Sequence, residues 1–332
     1  MVRTLWFSYS MEPGGSLDSA RPYRSPYERT WYLGRFLREK ARERGWAFRY
    51  VNLDDTTPHA VGPDDIVLGH LWFNEGSFIQ RAFDQDCRLK LILQPYTHKM
   101  VGDEALPVLH RYFDIADWLF LITGPYWFDT MPLTPFARWR DKATRIDNAV
   151  NPQAHPFLKR RWNPPGKRRA MAVGYDNPVK GMDVIADIAR TTGIHIGVFG
   201  AVGYDMFPNA PTITCHGGVS FTPDVIQELV DEYDFFLSTG RFDANPTTLN
   251  ETACWGLIGA CTPQSGYWPD QPFYELSLDD MILNYDQIDR LQHMSERDLW
   301  RRARMMRDLM VSDYNADKVC ATIWDKIEQL LS

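Results

Sequence analysis

Long hydrophobic runs are missing from this sequence. No apolar stretch reaches the roughly 18–20 residues that span a bilayer, so a helical membrane protein is not expected. The opening residues, MVRTLWFSYS, lack the apolar core and small-residue cleavage site of a signal peptide and read as a first strand. Cysteine is scarce: five residues (Cys87, Cys215, Cys254, Cys261, Cys320), scattered, with no CxxC pair. Neither a zinc site nor a disulfide framework is expected, and reduced thiols in a cytoplasmic protein fit best. Basic charge is in deficit, with 36 Lys and Arg against 43 Asp and Glu and a formal charge of −7. That argues against a protein that coats nucleic acid, though not against a local basic patch. No internal repeat of short period is present.

What the chain does have is alternation. Thr4 to Ser10 reads as a strand, followed by a loop from Met11 to Pro26 with Gly14-Gly15 near its start. Tyr27 to Arg44 carries apolar residues at helical spacing and stops at Gly45. Further strands are expected at Phe48–Leu53, Ile66–Leu68 (closing at Gly69-His70), Leu91–Leu93 and Trp118–Ile122. Helical stretches separate them, so the pattern implies a parallel sheet covered on both faces. The alternation restarts after Asn148-Ala149-Val150-Asn151, and 332 residues suffice for two domains of ordinary size. The boundaries expected are 1–150, 151–315 and a final helix over 316–332. The basic segment Lys159 to Arg169 reads as a linker with a solvated face.

In the second half, strands are expected at Ala170–Val173, His195–Phe199 and Thr212–Cys215. Lys180-Gly181 opens a helix from Met182 to Arg190, and His216-Gly217-Gly218 follows the third strand. The stretch Tyr233 to Tyr267 then forms one strand–loop–helix–strand unit. Asn245-Pro246 is expected as N-cap and first helical residue. The amides of Thr247 and Thr248 then lie in the first turn, where a helix offers an anion site. Asp243 stands before that site and Glu251 eight positions later. Two carboxylates flanking an anion site suit a sugar, a diphosphate and a ribose.

These phrases together resemble the donor-binding segments of retaining glycosyltransferases of the GT-B fold, particularly glycosyltransferase family 4. Family members carry Glu, seven residues, Glu; this chain has Asp243, seven residues, Glu251, with Ala244 where Gly is usual. Asn148-Ala149-Val150-Asn151 resembles the family's Asn-Gly-Val-Asp junction. Lys180-Gly181 matches the family's Lys-Gly, while Tyr175 stands where a diphosphate-binding Arg is expected. Lys142, Arg145 and Arg241 are the cations that would compensate.

The resemblance implies an α/β, GT-B fold: two Rossmann-like domains with a cleft between them, the terminal helix crossing back to the first. It implies transfer of a hexosyl group from a nucleotide-diphosphate sugar to a saccharide or related hydroxyl, with retention. Surface polysaccharide or glycoconjugate synthesis is the expected setting. The implied catalytic residues are His70, Lys180 and Asp243. The implied donor-binding residues are Gly14, Gly15, Lys180, Gly217, Gly218, Asp243, Asn245, Thr247, Thr248 and Glu251. Lys180 would neutralise the leaving diphosphate, Asp243 would hold sugar hydroxyls and Glu251 the ribose. His98 is a weaker candidate than His70. No cofactor beyond the co-substrate and no metal is expected. Asp84-Gln85-Asp86, similar to an Asp-x-Asp metal motif, sits in an expected helix where positions two apart diverge. Aromatic loops, Pro22–Tyr27 and Tyr126-Trp127-Phe128, are expected to help bind the acceptor. Membrane contact would be peripheral at most. Two alternatives remain at this stage. One is a nucleotide-sugar epimerase or inverting transferase, which needs a base such as His70; the other is a non-catalytic nucleotide-sugar-binding relative.

Overall fold

The computed structural model describes residues 2–11, 15–18, 28–71, 76–99, 106–175, 177–207, 209–268 and 272–332. The chain separates into two compact units. The first comprises Met1–Thr123, Phe128–Ala149 and Ala316–Ser332; the second comprises Gly124–Trp127 and Val150–Asn315.

The first unit contains β1 (Thr4–Tyr9), α1 (Glu28–Glu43), β2 (Ala47–Asn52), β3 (Ile66–Gly69), α2 (Phe78–Phe83), β4 (Leu89–Pro95), α3 (Leu106–Ile115) and β5 (Trp118–Ile122). Then come α4 (Gly124–Thr130), which spans the junction of the two units in the chain, and β6 (Ala143–Ile146). Its six strands are parallel, in the order β2-β1-β3-β4-β5-β6. The central strands are near-continuous apolar runs because both faces are covered; every residue of β3 is buried. Gly69 is where β3 passes closest to β1: a Cβ there would sit 2.5 Å from the Ser8 carbonyl oxygen. The helix α10 (Ala316–Leu331) closes one face, placing Cys320, Ile323, Trp324 and Ile327 in a core with Leu33, Leu37, Leu91 and Phe120.

The second unit contains β7 (Arg169–Val173), α5 (Met182–Thr192), β8 (His195–Phe199), β9 (Ile213–Gly217), α6 (Pro223–Glu232) and β10 (Phe235–Ser238). It continues with α7 (Thr247–Trp255), β11 (Ile258–Cys261), β12 (Tyr274–Glu275), α8 (Met281–His293) and α9 (Glu296–Ser312). Its six strands are again parallel, in the order β12-β11-β10-β7-β8-β9. Each sheet therefore reverses its direction of growth once, between β1 and β3 and between β7 and β10. Open α/β sheets bind ligands beyond the carboxyl ends of their strands at such a reversal.

Three sequence expectations are corrected. The segment Lys159–Arg169 is a solvated face only in part: Arg160, Arg161, Lys167 and Arg169 are exposed, but Lys159 and Arg168 are buried. The Lys159 ammonium is buried 3.0 Å from the Asp234 carboxylate and donates to the carbonyls of Val230 and Tyr233 at 2.8 and 2.7 Å. Burial lowers its pKa, against the pull of Asp234. Arg168 is 1 % exposed and donates to the carbonyls of Leu291 and Met294. The segment supplies cations to chain ends of α6 and α8 that would otherwise bury bare carbonyls. Asp84-Gln85-Asp86 lies past the end of α2 rather than within a helix, and Asp84 pairs with Arg111 at 2.7 Å. Finally, α7 starts at Thr247 with Pro246, not Asn245, at the N-cap. No helix among the described residues is long and apolar enough to cross a membrane.

Candidate functional site

The loops that leave β7 and β10 meet at the second unit's reversal. The β7 loop ends in a single 3-10 turn, Pro178–Lys180, capped by the Asn177 side chain, which accepts from the Val179 amide at 2.8 Å. Gly181 follows with φ +61°. A Cβ there would lie 2.0 Å from the Thr239 carbonyl oxygen, so only glycine lets the two loops come this close. Thr239 binds them together: its hydroxyl lies 3.1 and 2.8 Å from the carbonyl oxygens of Lys180 and Gly181. The Arg241 amide donates to the Val179 carbonyl at 2.8 Å. The Lys-Gly phrase is thus built against the loop that carries Asp243.

The two residues meet directly. Lys180 Nζ lies 2.5 Å from Asp243 Oδ2, and the side chains retain 22 and 16 % of their exposure. The Tyr175 ring, 46 % exposed, faces the same ammonium at 5.6 Å. Arg241 is paired with Asp183. Of the other cations considered as compensators, Lys142 donates to the carbonyls of Asp114 and Ala116, and Arg145 lies 3.4 Å from Asp147; both belong to the first unit. Arg241 alone shares the loop of Asp243.

The Asp243 loop is held from behind. Its amide donates to the Gln264 carbonyl at 3.0 Å. The Trp127 indole N–H reaches the carbonyls of Asp243 and Gln264 at 2.9 and 3.2 Å. The Thr262 hydroxyl donates to the Gly240 carbonyl at 2.6 Å, and the hydroxyls of Ser238 and Ser265 lie 3.1 Å apart. Trp127 is 4 % exposed, and Phe128 is buried beneath the Arg140 guanidinium. These two aromatics are packing and anchoring residues, which corrects the expectation of an open acceptor loop there. Tyr23 and Arg24, in the other aromatic loop, lie outside the described residues.

Asn245 has φ +61°, a left-handed conformation that Asn tolerates better than most residues. Its side chain is fully buried, with Oδ1 accepting from Asn250 Nδ2 at 3.1 Å and lying 3.2 Å from the Tyr267 hydroxyl. Tyr267 also donates to Asn250 Oδ1. Asn245 therefore shapes the loop through these internal hydrogen bonds. The N-cap residue, Pro246, makes no side-chain cap to α7. The Thr247 and Thr248 amides accordingly stand among the first-turn donors that have no intrahelical acceptor. Glu251 shares a helix face with Thr247, one turn on, and is 7 % exposed.

Gly217 and Gly218 close β9 with open space around their Cα atoms. The strand order sets β9 three spacings from β10, about 14 Å at the usual strand separation. Beside them the His216 ring stacks on Phe199, 4.5 Å between centroids, and its Nε2 lies 3.1 Å from the Tyr233 hydroxyl.

In the first unit, Gly15 is half-buried in the loop after β1, and His70 directly follows β3, the strand across the reversal from β1. Gly14 lies outside the described residues. The His70 amide donates to the Ser8 carbonyl at 2.9 Å, and its ring stacks on Tyr9 at 5.1 Å. Desolvation, with Arg29 adding to it, pushes the imidazole pKa down to about 3. His70 is a neutral ring at physiological pH. His98 is engaged on both nitrogens, by the hydroxyls of Tyr96 and Thr130 at 2.7 Å each, and burial lowers its pKa to about 4. Among the described residues no group of three or more His, Cys, Asp and Glu side chains is arranged to hold a metal ion.

Sequence reasoning named Lys180, Asp243 and Glu251 but missed Thr239, Trp127 and Tyr267 as the residues that hold their loops. Tyr267 and Trp127 are large polar aromatics next to turn residues, which hints that their polar tips find buried partners.

No protein-family model matches the chain, and no curated protein matches its sequence. Solved structures do match its fold. A sucrose-phosphate synthase from Thermosynechococcus elongatus is similar over 99 % of both chains, at TM-score 0.70 and 11 % identity. A glycosyltransferase from Rickettsia africae is similar over 100 % of this chain and 99 % of its own, at TM-score 0.66 and 10 % identity. Anabaena HepE, solved in complex with UDP and glucose, is similar over 98 % of this chain and 100 % of its own, at TM-score 0.65 and 8 % identity. The fold is α/β of the GT-B type, with two six-stranded parallel sheets.

Proposed function

We propose that the chain is a retaining glycosyltransferase resembling those of family 4. It moves a hexosyl group from a nucleotide-diphosphate sugar to a saccharide or related hydroxyl acceptor. The observation that carries this reading is the contact of Lys180 with Asp243, four residues before the start of α7, at the reversal of the second sheet. The α7 amides and Lys180 hold the diphosphate and stabilise the charge that grows on it as the sugar leaves. Asp243 holds hydroxyls of the donor sugar. Glu251, buried one turn into α7, holds the ribose, and the backbone at Gly217 and Gly218 lies beside the base. The similar folds of HepE, solved with UDP and glucose, and of a sucrose-phosphate synthase support a nucleotide-sugar donor. The reading asks no metal of the protein, because Lys180 and the helix start supply the positive field. Surface polysaccharide or glycoconjugate synthesis, in the cytoplasm, is the setting proposed.

A retaining transfer in which a donor phosphate oxygen takes the acceptor's proton asks no base of the protein, and on that ground retention is proposed over inversion. The test is incubation with a panel of nucleotide sugars and saccharide acceptors, followed by NMR of the product anomer. A product of the donor's own anomeric configuration is expected. An inverted product overturns the mechanism, and binding with neither transfer nor donor hydrolysis selects the non-catalytic alternative.

A further inference from the structure

We propose that the Asp243–Lys180 ion pair makes the site select a complete nucleotide sugar over the bare nucleoside diphosphate, so that the product of transfer is held weakly. This rests on the nucleotide-sugar reading and adds a preference that the reading does not itself require.

Among the described residues, each cation of the two loops is engaged by a carboxylate. Lys180 lies 2.5 Å from Asp243, and Arg241 is paired with Asp183. Tyr175, which faces the Lys180 ammonium at 5.6 Å, brings a ring and no charge. Each described cation of the two loops thus already faces a carboxylate, Lys180 that of Asp243 and Arg241 that of Asp183 in the first turn of α5. The Lys180 ammonium has three donors in tetrahedral array. A phosphate oxygen that shares it with Asp243 lies about 4.5 Å from the carboxylate when both are at hydrogen-bond distance. The Asp243 and Lys180 side chains are largely withdrawn from water, so repulsion between two anions at that range is poorly screened.

A bare diphosphate has two ways to bind, both unfavourable. It shares Lys180 and meets Asp243 at close range, or it takes Lys180 and leaves Asp243 without its partner. A nucleotide sugar escapes the choice. Its phosphate takes Lys180 while a sugar hydroxyl donates to the released carboxylate. The carboxylate is satisfied only when the sugar is attached, and transfer removes that hydroxyl from the nucleotide. Trp127 and Gln264 matter here because they fix the Asp243 backbone, so the loop cannot carry the carboxylate away without breaking their hydrogen bonds.

The experiment is titration calorimetry on the full chain with inorganic pyrophosphate, UDP, GDP, ADP and the corresponding glucose or mannose donors. Wild type, Asp243→Asn and Lys180→Ala are compared. Asp243→Asn is expected to bind pyrophosphate and the matching nucleoside diphosphate about tenfold more tightly than wild type. The same variant is expected to bind the matching nucleotide sugar more weakly, so the order of preference reverses. The gain for pyrophosphate should shrink as salt is raised, since it comes from removing a repulsion. Lys180→Ala should weaken both kinds of ligand. Asp243→Ser serves as a second variant should Asn disturb the loop, and the same tightening is expected. If wild type binds the nucleotides and both Asp243 variants bind bare diphosphate no more tightly, this proposal falls and the nucleotide-sugar reading stands. If no probe binds wild type or any variant, the nucleotide-sugar reading falls and takes this one with it.

Discussion

Lys180 draws its position from four neighbours: Gly181, Thr239, Asp243 and Tyr175. Replacing it with Ala removes the cation on which charge builds as the diphosphate leaves. Turnover is expected to fall roughly a hundredfold or more, with weaker nucleotide binding, in steady-state and binding assays. Unchanged turnover would assign the neutralising role to Arg241. Glu251→Gln should weaken nucleotide and nucleotide sugar alike, by roughly 1.5–3 kcal/mol if a charge-assisted hydrogen bond to ribose is lost. Equal affinity in a folded variant would remove Glu251 from the ribose. His70 bears on pH. Its folded pKa, about 3, lies below the ordinary 6.5, so the unfolded chain takes the proton first as pH falls. The stability due to the neutral ring is complete above 6.5 and drains away between 6.5 and about 3. His70→Gln, which cannot titrate, should therefore lose stability less steeply across that window. The difference in slope is up to about 1.4 kcal/mol per pH unit, read from denaturant midpoints at pH 7 and pH 5. Parallel pH profiles would mean that the ring is not desolvated in solution.

At the scale of elements, apolar runs were the readable part. Trp118–Ile122 and His195–Phe199 are strands at the residues where apolar continuity predicts them, and Ala316–Leu331 is the helix its spacing predicts. Reading fails where the deciding partner lies far along the chain. Lys159 looks solvated because it stands in a basic, proline-bearing stretch; its partner Asp234 comes after α6 and is invisible to local pattern. β6 and β12 escape because one is half polar and the other only two residues long. In the loops, the residue types of Lys180, Asp243 and Glu251 stood out, but the 2.5 Å contact between the first two is set by Gly181 and Thr239. The Asn-Pro phrase signalled a helix start one residue early, since Asn245 spends its side chain on Asn250. Two element-level predictions follow from these contacts. Gly181→Ala forces a Cβ onto the Thr239 carbonyl, so it should impair nucleotide binding while Lys180 is still present, together with a lower melting temperature. Lys159→Ala leaves Asp234 buried without its cation, held only by hydrogen bonds from Asn163 and the Arg169 amide, at an expected cost of about 3–5 kcal/mol in chemical denaturation. Its neighbour Arg160, which is exposed, serves as the control and should change stability by no more than about 0.5 kcal/mol.

For the molecule as a whole, the first unit is assembled from distant parts of the chain. α10 lays Trp324 against Trp46, 5.6 Å between ring centroids, and buries Ile323 and Ile327 in the core of the first sheet. Trp324→Ala should cost about 3–5 kcal/mol, and unfolding followed by the first unit's own aromatic signals should report it. A loss confined to the second unit would contradict this packing. The same arrangement sets an order of events during synthesis. Residues up to Ala149 emerge from the ribosome long before Ala316–Leu331 exist. At the usual elongation rate the roughly 180 intervening residues take about ten to forty seconds. For that interval α1 covers its part of that face of the first sheet while α10's part stays open, and Val150–Asn315 can close its own core without waiting. The part of the chain made first is thus completed last, and a ribosome that stalls within the second unit leaves a partly covered parallel sheet for chaperones or neighbouring chains to find.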